Sequence, residues 1–308
     1  MPTQAEISAL NDAFFDRIEA GHIKEAASAV DDYTRTKIRE DGFCRRVLPP
    51  QTLKNSDLHK QVDTDKPARV EEKQPDAPAA FSIPFGSLPR NTYILGPRYR
   101  VLFDRISTYR FQKDVDELRT YTMDIRQVLS DIAMKDIMAE EDTKMISAVN
   151  DIMIGPDVAV PYNDNTAQWE TIDGGITRES LADMRKIMPR GPSHLEPVKA
   201  LANNVTAKEF EKWGFNEMGG DFSQQIVKDG WAEVRFMGMD WIITIKRDLI
   251  PDDSVFMFSD PKYLGKYYVF EDITMFVKKE GPVIEFFMYQ TAGGSFGHNG
   301  GLARADFA

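Results

Sequence analysis

Val115–Ile152 reads VDELRTYTMDIRQVLSDIAMKDIMAEEDTKMISAVNDI and contains neither glycine nor proline. Leu118, Tyr121, Ile125, Val128, Leu129 and Ile132 recur three or four residues apart, and Met145, Val149 and Ile152 resume the stripe after a shift of phase. That spacing predicts a helix with one apolar face. At about 1.5 Å per residue a single helix over the whole stretch runs roughly 50 Å, a length suited to a scaffold. Ala139–Lys144 (AEEDTK) separates the two apolar blocks. It reads either as a solvated outer turn of one helix or as a break between two. Gly155 and Pro156 end the pattern.

On the N-terminal side, Ile7, Leu10, Phe14 and Ile18 predict a first helix stopped by Gly21, and Lys24–Ile38 a second. Arg35, Lys37, Arg39, Arg45, Arg46, Lys54 and Lys60 then make the chain locally basic, and Val47-Leu48-Pro49-Pro50 breaks any helix. This part reads as an arm and not a core. Its cations read either as contacts to an acidic neighbour or as a solvated flank with local ion pairs. Residues 57–80 hold few aliphatic side chains. Ala80–Ile83 and Thr92–Leu95 look extended around the turn-forming Pro84–Asn91, and Tyr99, Val101 and Phe103 alternate with Arg98, Arg100 and Asp104. A projecting β-hairpin follows, one with little core of its own that needs another surface, such as a second subunit, to rest on.

On the C-terminal side, Asn163-Asp164-Asn165 and Asp173-Gly174-Gly175 read as loops around Trp169. Ser180, Leu181, Met184, Ile187 and Met188 predict a short helix capped by Thr177 or Ser180. Glu196–Trp213, with Val198, Leu201, Ala202, Phe210 and Trp213, predicts one or two more. Trp231–Phe236, Trp241–Ile245, Val255–Phe258, Tyr267–Phe270, Ile273–Val277 and Val283–Tyr289 are rich in branched and aromatic residues and read as strands, with Gly281-Pro282 turning between the last two. Helices first and strands after indicate an α+β fold, not alternating βαβ units.

The whole chain, 308 residues, exceeds the usual single-core limit, so two compact units or one core with long excursions are expected. No apolar run approaches the ~20 residues of a membrane helix. Met1–Glu6 lacks a basic and an apolar signal region, so no secretory signal is expected and the protein should remain where it is made. The single cysteine, Cys44, excludes an intrachain disulfide and a cysteine metal cage, and reads as a bland half-buried thiol. A net charge of −11 opposes non-specific nucleic-acid binding and with it a DNA-reading role.

Chemistry-bearing clusters are scarce. His22, His59, His194 and His298 are far apart, with no second histidine three or four residues from any of them. Gly293–Gly301 (GGSFGHNGG) lacks the Lys-Ser/Thr ending of a phosphate cradle and reads as a turn with positive φ. Glu140-Glu141-Asp142 are consecutive, point in different directions and read as a solvated face. Asp252-Asp253 reads as a turn, and Ser295 has neither nucleophile-elbow context nor a visible base. No catalytic, cofactor-binding or metal-binding residue is assigned, no cofactor is expected, and the chain is not expected to be an enzyme.

Several short texts acquire meaning from their order. Arg98–Ile106 (RYRVLFDRI) closes the hairpin, and Val128–Ala133 (VLSDIA) followed by Glu140-Glu141-Asp142 resembles a spine helix. Met237–Asp240 (MGMD) precedes a strand, Pro261–Gly265 (PKYLG) follows one, and Gly297–Arg304 (GHNGGLAR) is similar to a closing turn and last strand. In this order they resemble the major capsid proteins of tailed phages, the Hong-Kong-ninety-seven-type fold, over essentially the whole chain. The resemblance implies an α+β phage capsid fold with an N-terminal arm (1–56), an extended β-hairpin loop (57–107) and a peripheral domain with the spine helix (108–165). An axial domain (166–265), further peripheral strands (266–297) and a tail returning to the axial domain (298–308) complete it.

The implied function is that of a structural major capsid protein that self-assembles into pentamers and hexamers of an icosahedral shell enclosing double-stranded DNA. Implied partners are other copies of the chain, portal, scaffold and decoration proteins, and packaged DNA nearby without sequence-specific binding; no membrane is involved. The implied location is the virion capsid, assembled in the host cytoplasm. Some relatives crosslink a loop lysine to a neighbour's asparagine, and by position Lys60, Lys66 and Lys73 are the candidates. Others carry a scaffolding domain or a cleaved segment, for which the helical start here is too short to be a full scaffold. An encapsulin-like nanocompartment shell and a cytoplasmic hydrolase with a spatially assembled site are the other readings. Neighbouring genes separate the first, turnover by a compact monomer the second.

Overall fold

The computed structural model describes residues 42–59, 65–72, 82–89, 96–118, 125–154, 167–191, 193–213 and 233–308. The expected helices before Gly42 and the loop Asn163-Asp164-Asn165 lie outside these residues. Two sheets share one long helix. The first sheet has the order β1 (Pro50–Thr52), β12 (Gly265–Glu280), β13 (Val283–Phe296) and β4 (Asp104–Ser107), with β5 (Phe111–Asp114) also on β13. The second runs β6 (Met153–Ile154), β7 (Ala167–Ile172), β14 (Leu302–Phe307), β11 (Ser254–Phe258), β8 (Lys199–Asn203), β10 (Met239–Thr244) and β9 (Glu233–Phe236). A separate antiparallel pair joins β2 (Ala68–Glu72) to β3 (Arg98–Leu102). The architecture is α+β, as the sequence indicates.

The decisive stretch holds two helices among the described residues, Val115–Leu118 and the long helix Ile125–Ile152. The long helix continues through Ala139–Lys144 without a break. Its 28 residues span roughly 40 Å. Ala133, Met134, Ile137, Met138, Met145, Ile146 and Val149 are buried, whereas Ile132, expected in the stripe, is 42% exposed. The apparent phase shift has a simple cause. Glu141 and Asp142 occupy the middle of the buried face at 3% and 1% exposure, so the expectation of a solvated Glu140-Glu141-Asp142 face fails for two of the three residues.

The first half of the helix packs on the five-stranded sheet through Met134 and Ile137 against Ile273, Met275, Ile284, Phe286 and Met288. Its second half, through Met145, Ile146 and Val149, enters a cluster that includes Leu201, Ile242, Phe256 and Phe258 of the seven-stranded sheet and Tyr267 and Val269 of the other. The opposite face of the seven-stranded sheet, with Ala200, Ala202, Trp241, Val255 and Met257, is covered by the helix Arg178–Arg190. Thr177 caps that helix and Ser180 bonds back to it. With both faces covered, the interiors of β8 and β11, Ala200–Ala202 and Val255–Phe258, are apolar.

That burial accounts for one correction: Val198–Ala202 is not helical. Lys199–Asn203 is a central strand, and the helix Asn204–Glu209 begins only after it, with Asn203 as N-cap. A short continuous apolar run does not separate a buried strand from a helix. Trp169 likewise lies on a strand rather than in a loop. Gly293 and Gly294 belong to β13 without positive φ, and Asn299–Gly301 is a 3-10 turn, so the expected positive-φ turn is absent there. Glycine is required at 293 because an added methyl would run into the carbonyl of Leu102, where β3 crosses β13. The hairpin exists, but its first strand is Ala68–Glu72; Ser82–Pro89 is irregular, and 90–95 lie outside the described residues.

Candidate functional site: a polar junction and a projecting loop

Phe43–Val47 forms a short helix, here called the strap, with Phe43, Cys44 and Val47 buried beside Met145, Ile146 and Val149. The reading of this part as arm and not core therefore does not hold for Phe43–Leu53, where Leu48 and Leu53 are also buried. Basic composition concealed it. Arg45, one of the seven cations of Arg35–Lys60, donates through Nε (2.9 Å) and Nη2 (2.8 Å) to the Glu141 carboxylate and through Nη2 to Gln290 (3.0 Å). Glu141 also accepts from Tyr267 Oη at 2.7 Å and from the Gln290 amide. Burial and the adjacent Glu141 push the Tyr267 hydroxyl well above its ordinary range.

Asp142 faces the other way. It accepts from the backbone N–H of Cys44 (2.9 Å) and from Lys246 Nζ (2.5 Å), which follows β10. Burial raises the Asp142 carboxyl above its ordinary range, with Lys246 and the Cys44 N–H opposing the rise. Lys199 donates to the carbonyls of Arg46 and Val47 at the end of the strap. Polar groups of β12 and β13 and the cations Arg45 of the strap and Lys246 after β10 thus meet on one turn of the long helix. Each buried charge has a partner, as burial demands.

A second polar cluster fixes the root of the hairpin. Glu71 on β2 accepts from Tyr268 Oη (2.5 Å), Lys266 Nζ (2.9 Å) and Arg69 Nε (2.5 Å), and the Arg69 guanidinium stacks over the Tyr268 ring at 5.0 Å. Burial alone would raise the Glu71 carboxyl, but these three donors hold it below its ordinary range. Beyond this root, Ser82–Pro89 carries no charge, and Phe85 and Leu88 are fully exposed at 109% and 91%. Large apolar side chains left in water on a projecting loop mark a contact surface rather than a chemical centre.

The remaining sequence candidates stay dispersed. His59 Nδ1 accepts from the Val70 N–H at 3.2 Å, and the His194 ring lies 3.1 Å from the Pro189 carbonyl at a backbone φ of 50°. His298 precedes the 3-10 turn, and His22 is outside the described residues. Among the described residues no group of three or more His, Cys, Asp or Glu could hold a metal ion. Ser295 sits on β13 in register with Lys266. Cys44 is fully buried rather than half-buried, and burial with Glu141 and Asp142 nearby raises its thiol, which makes it a poor nucleophile. Lys66 pairs with Asp104 at 2.7 Å on the surface; Lys60 and Lys73 lie outside the described residues. Asp252-Asp253 forms the expected turn, with Asp253 at φ 58°.

No protein-family model matches the chain, and no curated protein matches it. Solved structures do. The capsid of a native GTA particle aligns at a TM-score of 0.57 and 14% identity, covering 86% of this chain and 89% of that one. The bacteriophage PhiM1 mature capsid aligns at 0.55 and 7% identity, covering 87% of each. The chain has the fold of phage major capsid proteins. At such identities the likeness lies in the course of the backbone and not in retained side chains. A virus-like particle from Pyrococcus furiosus shares the capsid fold at 0.53 and 11% identity, with 92% of this chain and 100% of that one covered.

Proposed function

We propose that this chain is a structural subunit of a closed protein shell, a major capsid protein that assembles from its own copies into pentamers and hexamers around double-stranded DNA. The observation that carries this reading is the pairing of a capsid fold with an uncharged segment, Ser82–Pro89, whose Phe85 and Leu88 are fully exposed. In an assembly many such modest contacts form at once, and their combined strength exceeds any one of them. In this reading the arm is 1–56, with its Phe43–Leu53 part packed into the core, the extended loop 57–107, the peripheral domain 108–165 with 266–297, and the axial domain 166–265 with the tail 298–308. Its role is structural, its location is the virion, and portal, scaffold and decoration proteins are its further partners.

The net charge of −11 supports a wall that lies near packaged DNA without holding it. Negative-stain microscopy of the purified chain tests the reading: rings, tubes or shells are expected. A monodisperse monomer that stays single even when mixed with its scaffold would overturn it. Particles from infected or expressing cells separate the two kinds of shell, because nucleic acid inside supports the capsid and an enzyme cargo supports the nanocompartment.

A further inference from the structure

The helix Arg178–Arg190 buries Leu181, Met184, Ile187 and Met188 against the seven-stranded sheet. Its other side, with Ala182, Arg185, Lys186, Pro189 and Arg190, lines an open cleft of about 530 Å³ together with Glu196. Three of these six residues are cations, on a chain whose net charge is −11. Two of them have acids of their own: Lys186 Nζ lies 2.5 Å from Asp183, and Arg190 Nη1 lies 3.4 Å from Glu170. Arg185 has none. It is half-buried, its Nε is closed to water without an acceptor, and among the described residues no carboxylate pairs with its guanidinium. Nη2 rests against the turn between β9 and β10, 3.7 Å from where a methyl added to Gly238 would stand.

A guanidinium cannot shed its charge, and holding it partly out of water without a partner is costly. Polar groups in such places are ordinarily bonded, so this one marks a position for an ion that the chain does not supply. Lys186 and Arg190 also offset the negative end of the helix, which accounts for their presence near its last turn. That account does not reach the sealed Nε of Arg185. Glu196 stands exposed at the rim and pairs with none of the three cations, so the cleft is not closed by its own acid. Between the cations, Ala182 contributes only a methyl group and Pro189 no N–H, which leaves room for a ligand.

We propose that this cleft binds a phosphate oxyanion, free or as a phosphodiester, held by the Arg185 guanidinium with Lys186 and Arg190 adding positive charge beside it. An arginine fork suits phosphate, to which it gives two parallel hydrogen bonds. Phosphate has oxygens left over for donors on the next turn of the helix, whereas a carboxylate spends both of its oxygens on one fork. The volume lies in the range of small-molecule sites and admits a free phosphate or a length of nucleic-acid backbone. The overall negative charge opposes a polyanion at long range, so a phosphodiester bound here is held weakly and is released by salt.

Phosphorus NMR of inorganic phosphate mixed with the full chain tests this without requiring assembly. In low salt the phosphate line should shift and broaden with a dissociation constant on the order of 1 mM. Arg185→Gln should weaken that binding about tenfold or more, the loss of one charge-assisted pair. Ala182→Glu sets a carboxylate one turn before Lys186, where it takes the place of the anion; this variant should stay folded and lose phosphate binding. A short DNA duplex, followed by fluorescence anisotropy in the same buffer, separates the two sources. Duplex binding that Arg185→Gln abolishes identifies the phosphodiester as the ligand, and phosphate binding without duplex binding identifies the free ion. No response of the wild type to either probe, or responses that Arg185→Gln leaves unchanged, overturns the proposal. Should that variant not fold, Ala182→Glu decides in the same way.

Discussion

Glu141 accepts hydrogen bonds from three side chains in a place that water does not reach. Removing one donor there differs from removing the pair. Arg45→Met leaves a buried carboxylate without its cation, and urea denaturation should show a loss of about 3–5 kcal/mol. Arg45→Met combined with Glu141→Gln removes the stranded charge too and should lose clearly less than the two single changes summed. The two other buried carboxylates give opposite pH signatures. Asp142 has a folded-state proton affinity above the unfolded value, so in that window the folded state binds more protons and its contribution to stability falls as pH rises. Asp142→Asn should therefore flatten the stability profile in mild acid without lowering the melting temperature at neutral pH. Glu71 is depressed, so its contribution is present above the unfolded value and lost as pH falls through the folded one. Glu71→Gln should lower the melting temperature at neutral pH, with the difference from wild type vanishing in acid.

Two elements meet closely where β3 crosses β13 at Gly293. Gly293→Ala should force the hairpin root off the sheet, at an expected loss of about 1–3 kcal/mol, read by thermal unfolding. The sequence made the glycines visible but not their reason: a cluster such as GGSFGHNGG reads equally as a turn or as a strand that another chain segment approaches. The long helix was legible because its buried positions repeat with a helical period. Its buried polar pair was not, since a run such as EED is ordinarily solvated. One signal was available: Glu141 and Asp142 fall four residues after Ile137 and Met138 and four before Met145 and Ile146, and so continue the stripe. The strap was misread for a similar reason. Arg45 and Lys199 look like surface charge until their partners, distant in sequence, are known. Strand Ser254–Phe258 and the Val283–Tyr289 part of β13 were legible from branched and aromatic content alone, while the glycine-bearing end of β13 was read as a turn and Lys199–Asn203 was too short to distinguish from a helix.

Across the whole molecule, the core supports itself and the loop does not. Phe85→Ser with Leu88→Ser removes two side chains that contact water in the single chain, so the melting temperature of the monomer should shift little, within about 0.5 kcal/mol of stability. Particle formation seen by microscopy should nevertheless be lost, and intact particles from this double variant would show that the loop is not a contact between copies. A further consequence concerns synthesis. Leu302–Phe307 lies between Ala167–Ile172 and Ser254–Phe258, bonded to both. A ribosome that has reached residue 300 holds a nascent chain whose larger sheet is still split, with two raw edges facing the gap. Closure of that sheet waits until Leu302–Phe307 has been made, however early its other strands emerge.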